Sequence, residues 1–129
     1  MTCLKLQHLN FFKVPLNTKI YDSHENVFIY FSDSDFLIHV FNIQTCNIYT
    51  IDVSVVKNKS IPTAISISPT HTIIAVGFEN GSIFLYSTQN QKFSKVKMKM
   101  KPTPVVSLSF ISDTLLIEAN QDKTLTAYT

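Results

Sequence analysis

The stretch IPTAISISPTHTIIAVGFENGSIFLYS, residues 61–87, decides the fold of this chain. Apolar and polar residues alternate over 64–68, a small apolar run follows at 73–77, and a second alternation occupies 82–86. Alternation with a period of two is typical of half-buried strands. Asn80-Gly81 between the last two runs predicts a hairpin with a type I′ turn, because both residues tolerate positive φ. The stretch therefore predicts three antiparallel β-strands joined by two tight turns.

Similar runs on both sides of this stretch predict further strands. Before it, the pattern predicts strands over residues 4–14, 19–23, 27–31, 37–41 and 47–53. After it, strands are predicted over residues 92–101, 105–110, 115–119 and 125–128. The chain is therefore expected to be an all-β protein.

The turns and aromatic residues indicate an internal repeat. Three turn residues each stand six positions before an aromatic residue, in the pairs Asp35 and Phe41, Asn80 and Tyr86, and Asp122 and Tyr128. The aromatic residues lie 45 and then 42 positions apart. Repeats of roughly 40 to 45 residues with four strands per unit are those of β-propeller blades.

The middle repeat resembles a WD40 repeat. Residues 68–72, SPTHT, resemble the turn between the first and second strands of that family, and residues 79–82, ENGS, resemble its Asp-Gly turn. Tyr86-Ser87 occupies the position of the Trp-Asp dipeptide, as do Phe41-Asn42 and Tyr128-Thr129. The chain departs from the family in having no tryptophan and no Gly-His pair before the first strands. The network anchored by that histidine is therefore not expected here.

The resemblance implies antiparallel four-stranded blades of an incomplete propeller with about three blades. We expect an N-terminal strand in residues 1–16, blades in 17–56 and 61–101, and an incomplete blade in 102–129. Closed propellers use roughly four to eight blades. Such an arc is expected to be the N-terminal part of a longer propeller, a partial gene product, or a subunit that closes with another copy. The strand at 4–14 is a candidate to close the ring as the outer strand of the last blade.

Composition favours a single soluble domain. Of 129 residues, 45% are hydrophobic and 16% charged, which argues against disorder. The net charge is only +2, and all eleven basic residues are lysine, so specific DNA recognition is not expected. The N-terminus is a poor signal peptide and no apolar run is long enough for a transmembrane segment. A cytoplasmic protein is expected, with the endosomal or vacuolar membrane surface and the nucleus left open.

The sequence contains no pattern for catalysis, cofactors or metals. The two glycines, Gly77 and Gly81, do not form a phosphate loop, and both have structural explanations in close blade packing and in the hairpin turn. The two cysteines, Cys3 and Cys46, match neither a disulfide framework nor a zinc pattern. The four histidines are scattered without metal-site spacing, at positions 8, 24, 39 and 71. We therefore expect no enzyme activity, no cofactor and no metal.

A basic strip is the candidate partner-binding feature. Lysines alternate with apolar residues over positions 95–101, which places Lys95, Lys97, Lys99 and Lys101 on one strand face. The strip could bind an acidic partner or anionic lipid. Lysines on an outermost strand also prevent aggregation between sheet edges, and this structural interpretation is favoured.

The leading functional hypothesis is a non-catalytic scaffold that binds other proteins as a subunit of a larger complex. Phe11-Phe12 followed by one well-formed repeat, IIAVGFENGSIFLYS, is similar to the start of vacuolar protein sorting subunits of endosomal and lysosomal tethering complexes. That resemblance implies a role in vesicle-mediated transport. The alternative is a propeller scaffold in a ribonucleoprotein assembly for ribosome processing or splicing. An enzyme or a small independent β-domain with a coincidental repeat is the third possibility.

Overall fold

A computed structural model describes residues 19–56, 60–96 and 103–129. These residues form eleven antiparallel β-strands and one short 3-10 helix. The strands make three separate sheets that follow one another along the chain. The predicted all-β class is confirmed, as are the two four-stranded sheets followed by a three-stranded one. The strand predicted over residues 4–14 lies outside the described residues.

Sheet 1 contains β1 (Tyr21–His24), β2 (Val27–Ser32), β3 (Leu37–Asn42) and β4 (Asn47–Asp52), in that spatial order. A two-residue turn joins β1 to β2, with Glu25 at a φ of 52°. The fourth strand ends at Asp52, one residue before the predicted end, because Val53–Val56 form the 3-10 helix. The Asp52 carboxylate caps this helix by accepting hydrogen bonds from the Ser54 amide and hydroxyl, at 3.0 and 2.6 Å.

Sheet 2 contains β5 (Pro62–Ile67), β6 (Ile73–Phe78), β7 (Ile83–Ser87) and β8 (Lys92–Lys95). The first of these strands starts two residues before its predicted limit and has an irregular register between Pro62 and Ala64. The last one was predicted to reach residue 101, and its described part ends at Lys95.

Sheet 3 contains β9 (Val105–Ser112), β10 (Leu115–Asn120) and β11 (Leu125–Tyr128). The two-residue connection between its first two strands is Asp113-Thr114. Among the described strands, none pairs with the outer edge of β11.

Two apolar clusters hold the sheets together by their faces. The cluster between sheets 1 and 2 consists of large side chains, including Ile29, Phe31, Ile74, Val76 and Phe78. The cluster between sheets 2 and 3 combines small residues of sheet 2 with Val105, Leu108 and Leu116 of sheet 3. These two clusters join the three described sheets face to face in one stack.

Candidate interaction surfaces

An equivalent hydrogen bond, from a backbone amide to a side-chain oxygen, joins the first strands of neighbouring sheets at both junctions. The Asp22 carboxylate in β1 accepts the amide of Ile67 in β5, at 2.9 Å. The Ser66 hydroxyl in β5 accepts the amide of Phe110 in β9, at 3.1 Å. Asp22 and Ser66 hold equivalent places in the two sheets, and the register gives Ser109 the same place in sheet 3. The junctions are thus a structural repeat as well as a sequence repeat.

The turn between β5 and β6 contacts both neighbouring sheets. His71 has a φ of 62°, and its Nε2 donates to the carbonyl of His24 in sheet 1, at 3.0 Å. On the other side, the amide and hydroxyl of Thr70 donate to the Asp113 carboxylate of sheet 3, at 3.0 and 2.9 Å. His71 therefore has a capping contact in the structure, and this end of the stack is a linked row of turns.

The opposite ends of the sheets contain the three turns that define the repeat. Asp35, Asn80 and Asp122 each accept the backbone amide two residues later, from Leu37, Ser82 and Thr124, always at 3.1 Å. The residue between has positive φ in every case: 59° at Phe36, 89° at Gly81 and 69° at Lys123. The alignment of these turns from sequence is confirmed.

The turn containing Asn80 and Gly81 differs from the predicted type I′ form. Positive φ occurs at Gly81 and not at Asn80. The Gly81 amide donates to the carbonyl of Phe78, at 3.0 Å, and the Phe78 amide donates to the carbonyl of Ser82, at 3.0 Å. This is the three-residue hairpin in which a type I turn is followed by a left-handed residue. The Asn80 side chain explains the difference, since its Oδ1 accepts the Ser82 amide and hydroxyl.

Asp35 also accepts a hydrogen bond from His39, which stacks on Tyr30 on the face of sheet 1 that points away from sheet 2. His39 Nε2 donates to Asp35 Oδ2 at 3.0 Å, and the imidazole stacks on Tyr30 with ring centres 4.7 Å apart. Partial desolvation opposes ionisation of Asp35, but the hydrogen bonds from His39 and the Leu37 amide hold its pKa below the usual value. Desolvation, followed by the charge of Asp35, raises the pKa of Tyr30. The arrangement orders the sheet face and presents no activated nucleophile.

A buried carboxylate in sheet 3 was not predicted from sequence. Glu118 in β10 is fully buried, and the Tyr128 hydroxyl donates to its Oε1 at 2.7 Å. Burial, followed by this hydrogen bond to Glu118, raises the pKa of Tyr128. Glu118 occupies the place that Val76 occupies in sheet 2. Alignment of the repeats could have revealed it, since an acidic residue replaces an apolar one in the middle of a strand.

Two grooves run between the outer strands of neighbouring sheets. Groove A, of about 490 Å³, lies between sheets 1 and 2, and its lining includes Ile51, Asp52, Tyr86, Lys92 and Phe93. Groove B, of about 600 Å³, lies between sheets 2 and 3, and its lining includes Leu85, Val96, Phe110, Asp113 and Tyr128. Tyr86 and Tyr128 are the aromatic residues of the repeat, so the grooves are equivalent. In groove A the ring of Phe93 lies 4.9 Å from that of Tyr86.

The predicted lysine strip is described only at its first member. Lys95 ends β8 opposite Phe84, and its Nζ lies 6.0 Å from the centre of the Phe84 ring. Lys97, Lys99 and Lys101 lie outside the described residues. The ammonium group of Lys95 thus lies over an aromatic ring of sheet 2, and the binding role of the strip stays a prediction.

No group of three or more metal-ligating side chains occurs in the described ranges. Cys46 lies in the loop between β3 and β4, where its exposed thiol donates to the carbonyl of Ile43 at 4.0 Å. Within residues 19–56, 60–96 and 103–129, no helix has the length and apolarity needed to cross a bilayer.

Solved structures provide the comparison that places the fold. No family model and no curated protein sequence matches the chain. A chain in the crystal structure of the mitotic checkpoint complex superposes with a TM-score of 0.62 at 15% identity, over 98% of this chain and 44% of that one. Hsv2 of Kluyvelomyces marxianus superposes with a TM-score of 0.66 at 13% identity, over 84% of this chain and 35% of that one. This chain thus spans less than half of either structure.

Proposed function

We propose, from the WD40-like β-propeller fold of this chain, that it is a non-catalytic scaffold for protein–protein interaction. The observation that carries the proposal is the fastening of three sheets into one stack by repeated hydrogen bonds. The stack presents short exposed loops on two opposite rims. Loops on a rigid scaffold are where binding residues concentrate.

The two rims have different chemistry. One rim contains the loops after β2 and β6, with exposed Asp33 and Glu79. The other contains the loops after β1, β3 and β7, with exposed Glu25 and the exposed neutral residues Thr45 and Gln89. A strongly acidic rim and a mostly neutral rim favour different partners, because charge complementarity governs which proteins associate productively.

We propose further that the complex is a vesicle-tethering assembly in which this chain resembles the start of a vacuolar protein sorting subunit. Support comes from the repeat IIAVGFENGSIFLYS and from Phe11-Phe12 in the N-terminal segment. A scaffold in a ribonucleoprotein assembly is the second candidate, supported by the lysines between residues 92 and 101. Vesicle-trafficking proteins are the expected neighbours in the first case and RNA-bound proteins in the second.

Proximity labelling with the full chain and two charge-altered variants tests the scaffold. D33K/E79K changes the acidic rim and T45K/Q89K changes the mostly neutral rim, both at exposed loop positions that leave the apolar clusters intact. We expect one variant to lose a defined set of neighbours while the thermal midpoint is retained. If both variants keep every neighbour of the parent chain, neither rim binds partners and the scaffold proposal is wrong. Loss of vesicle-trafficking proteins then supports the tethering assembly, and loss of RNA-bound proteins supports the ribonucleoprotein assembly.

A further inference from the structure

Asn80 is the only asparagine in the sequence that precedes a glycine. Asparagine followed by glycine is the pair most prone to spontaneous deamidation, because glycine has no side chain to hinder the approach of its nitrogen to the carboxamide. Asn80 is exposed in the turn between β6 and β7. Asn90, which is also exposed, precedes Gln91 and lacks this unhindered neighbour. The intrinsic rate of deamidation is therefore expected to be highest at Asn80.

Deamidation is an intramolecular cyclisation followed by hydrolysis. The main-chain nitrogen of Gly81 attacks Cγ of Asn80, the Cγ–Nδ2 bond breaks, and the amide proton of Gly81 leaves with Nδ2 as ammonia. Water then opens the cyclic imide at one of its two carbonyl groups, which gives either aspartate or isoaspartate at position 80. The reaction needs no enzyme or cofactor, so the geometry of the turn controls its rate.

The folded turn restrains the attacking nitrogen. The Gly81 amide donates to the carbonyl of Phe78 at 3.0 Å, whereas attack on the carboxamide requires the loss of this proton. Asn80 is the third residue of a type I turn, where ψ is about 0°. Closing the imide ring requires rotation about the Cα–C bond of Asn80, and that rotation breaks the hydrogen bond to Phe78.

Further hydrogen bonds restrain the carboxamide and the main chain of Asn80. Its Oδ1 accepts the amide and hydroxyl of Ser82, at 3.1 and 2.7 Å, and its amide donates to the Ser60 hydroxyl at 2.9 Å. The amide of Glu79 donates to the carbonyl of Ile61 at 2.9 Å. Cyclisation therefore requires part of this network to open. Such local opening has a free energy of its own, which lies below that of global unfolding.

The equivalent turn of sheet 3 shows how the aspartate product would fit. Asp122 Oδ1 accepts the amide of Thr124 at 3.1 Å and also its hydroxyl, which are the contacts that Asn80 makes with Ser82. Aspartate at position 80 therefore fits the same turn, and it adds a negative charge beside Glu79. Isoaspartate lengthens the main chain by a methylene group and cannot keep the register that the turn sets between β6 and β7.

We propose that Asn80 is a modification site at which the folded turn suppresses spontaneous deamidation and local opening of the turn releases it. The aspartate product keeps the hairpin, whereas the isoaspartate product destabilises it. Deamidation requires no partner protein, so its test is independent of the proposed scaffold function.

The test compares the full folded chain, the full chain unfolded in urea, and a capped peptide GFENGSIF that copies residues 77–84. The peptide is measured with and without urea, and mass spectrometry follows conversion at Asn80 under the same mildly alkaline conditions. We expect the unfolded chain and the peptide to react at equal rates. The folded chain should react at least about tenfold more slowly, which corresponds to an opening free energy of about 1.4 kcal/mol or more.

Three variants of the full chain test the contacts and the product. S60A removes the acceptor of the Asn80 amide and should raise the rate in the folded chain severalfold. S109A is the matched control, because Ser109 is exposed on sheet 3, and it should react like the parent chain. N80D is the aspartate product and should keep the thermal midpoint of the parent chain, since the turns at Asp35 and Asp122 already contain aspartate.

Four results would overturn the proposal. Deamidation of the folded chain at the rate of the peptide would show that the turn gives no protection. Absence of conversion at Asn80 in the unfolded chain would show that this residue is not the reactive one. Equal rates in S60A and the parent chain would show that the network does not restrain the reaction. A clear fall in the thermal midpoint of N80D would show that the aspartate product does not keep the hairpin.

Discussion

Sheet 3 covers one face of sheet 2, whereas no described sheet covers the equivalent face of sheet 3. Ser66, Ala75 and Gly77 on sheet 2 pack against sheet 3. Ser109, Ile117 and Ala119 hold the same register positions on sheet 3, and Ser109 is exposed. Chemically similar residues are therefore under different constraints, and the constraint comes from the neighbouring sheet.

The difference is sharpest at Gly77. A Cβ atom at this position would lie 2.5 Å from Cγ1 and 2.8 Å from Cβ of Val105. Val105 is itself fully buried, so it has no room to move away. The absence of a side chain thus sets how closely sheets 2 and 3 approach, and Ala119 has no such restriction from a described sheet.

The largest effect is expected from replacing Gly77 by valine. The added side chain overlaps Val105 and should destabilise the fold by about 3 kcal/mol, the upper range for overpacking. The matched change A119V should alter the free energy of unfolding by less than about 0.5 kcal/mol. Urea unfolding of the two variants measures the comparison. Equal destabilisation by both would show that the close approach at Gly77 is wrong.

The next largest effect is expected at the buried Glu118. Y128F removes a hydrogen bond donor from a buried carboxylate and should cost about 2 kcal/mol. In sheet 2, Tyr86 pairs with Ile74 and the place of Glu118 is taken by the apolar Val76, so Y86F is the control and should change stability little. A loss in Y86F equal to that in Y128F would contradict the role of Glu118.

Tyr128 also makes the free energy of unfolding of the chain depend on pH. Its pKa is raised in the folded state, so the folded chain holds this proton more tightly than the unfolded chain. The stabilisation is complete below the unfolded value of about 10 and is lost as pH rises above it. Thermal midpoints between pH 8 and 11 should therefore fall more steeply for the parent chain than for Y128F. Parallel curves would argue against this titration.

The repeated turns allow a smaller test. G81V places a β-branched residue at a φ of 89° and should cost about 1.5 kcal/mol. S87V, at the end of β7, should cost little. Lys123 adopts a φ of 69° at the equivalent place in sheet 3, so K123G should stabilise by about 0.5 kcal/mol. Chemical denaturation of the three variants should rank them in this order, and indistinguishable values for G81V and S87V would refute the turn assignment.

The smallest effect is expected from removing the hydroxyl groups of Ser66 and Ser109, which hold equivalent positions on the two faces. S66A removes the acceptor for the Phe110 amide and should cost about 1 kcal/mol. S109A alters the exposed equivalent and should cost less than about 0.5 kcal/mol. Amide hydrogen exchange of Phe110 provides a local readout, which should quicken in S66A only. An unchanged exchange rate of the Phe110 amide in S66A would show that this hydrogen bond does not protect the junction.

Much of the fold could be predicted because the sequence pattern is local. The strand Leu125–Tyr128 was predicted to the residue, and the turns at Asp35, Asn80 and Asp122 were aligned correctly. Strand ends elsewhere differ by one or two residues in most cases. They depend on contacts such as the cap that Asp52 gives the 3-10 helix.

The candidate interaction surfaces were harder to predict because they depend on contacts between sheets. Nothing local to Ser66 indicates that it accepts an amide of Phe110, 44 residues later. Glu118 reads as an ordinary polar residue in an alternating strand until its place is compared with Val76. The grooves exist only once neighbouring sheets stack, so no motif in the sequence encodes them.

The central claim is that neighbouring repeats stack face to face at a fixed register. The nuclear Overhauser effect between the Hα atoms of Gly77 and the methyl groups of Val105 tests it most directly. We predict a strong cross-peak, as expected from a Cβ position only 2.5 Å from Val105 Cγ1. Absence of this cross-peak in a sample where the cross-peaks within each sheet are present would contradict the stacking.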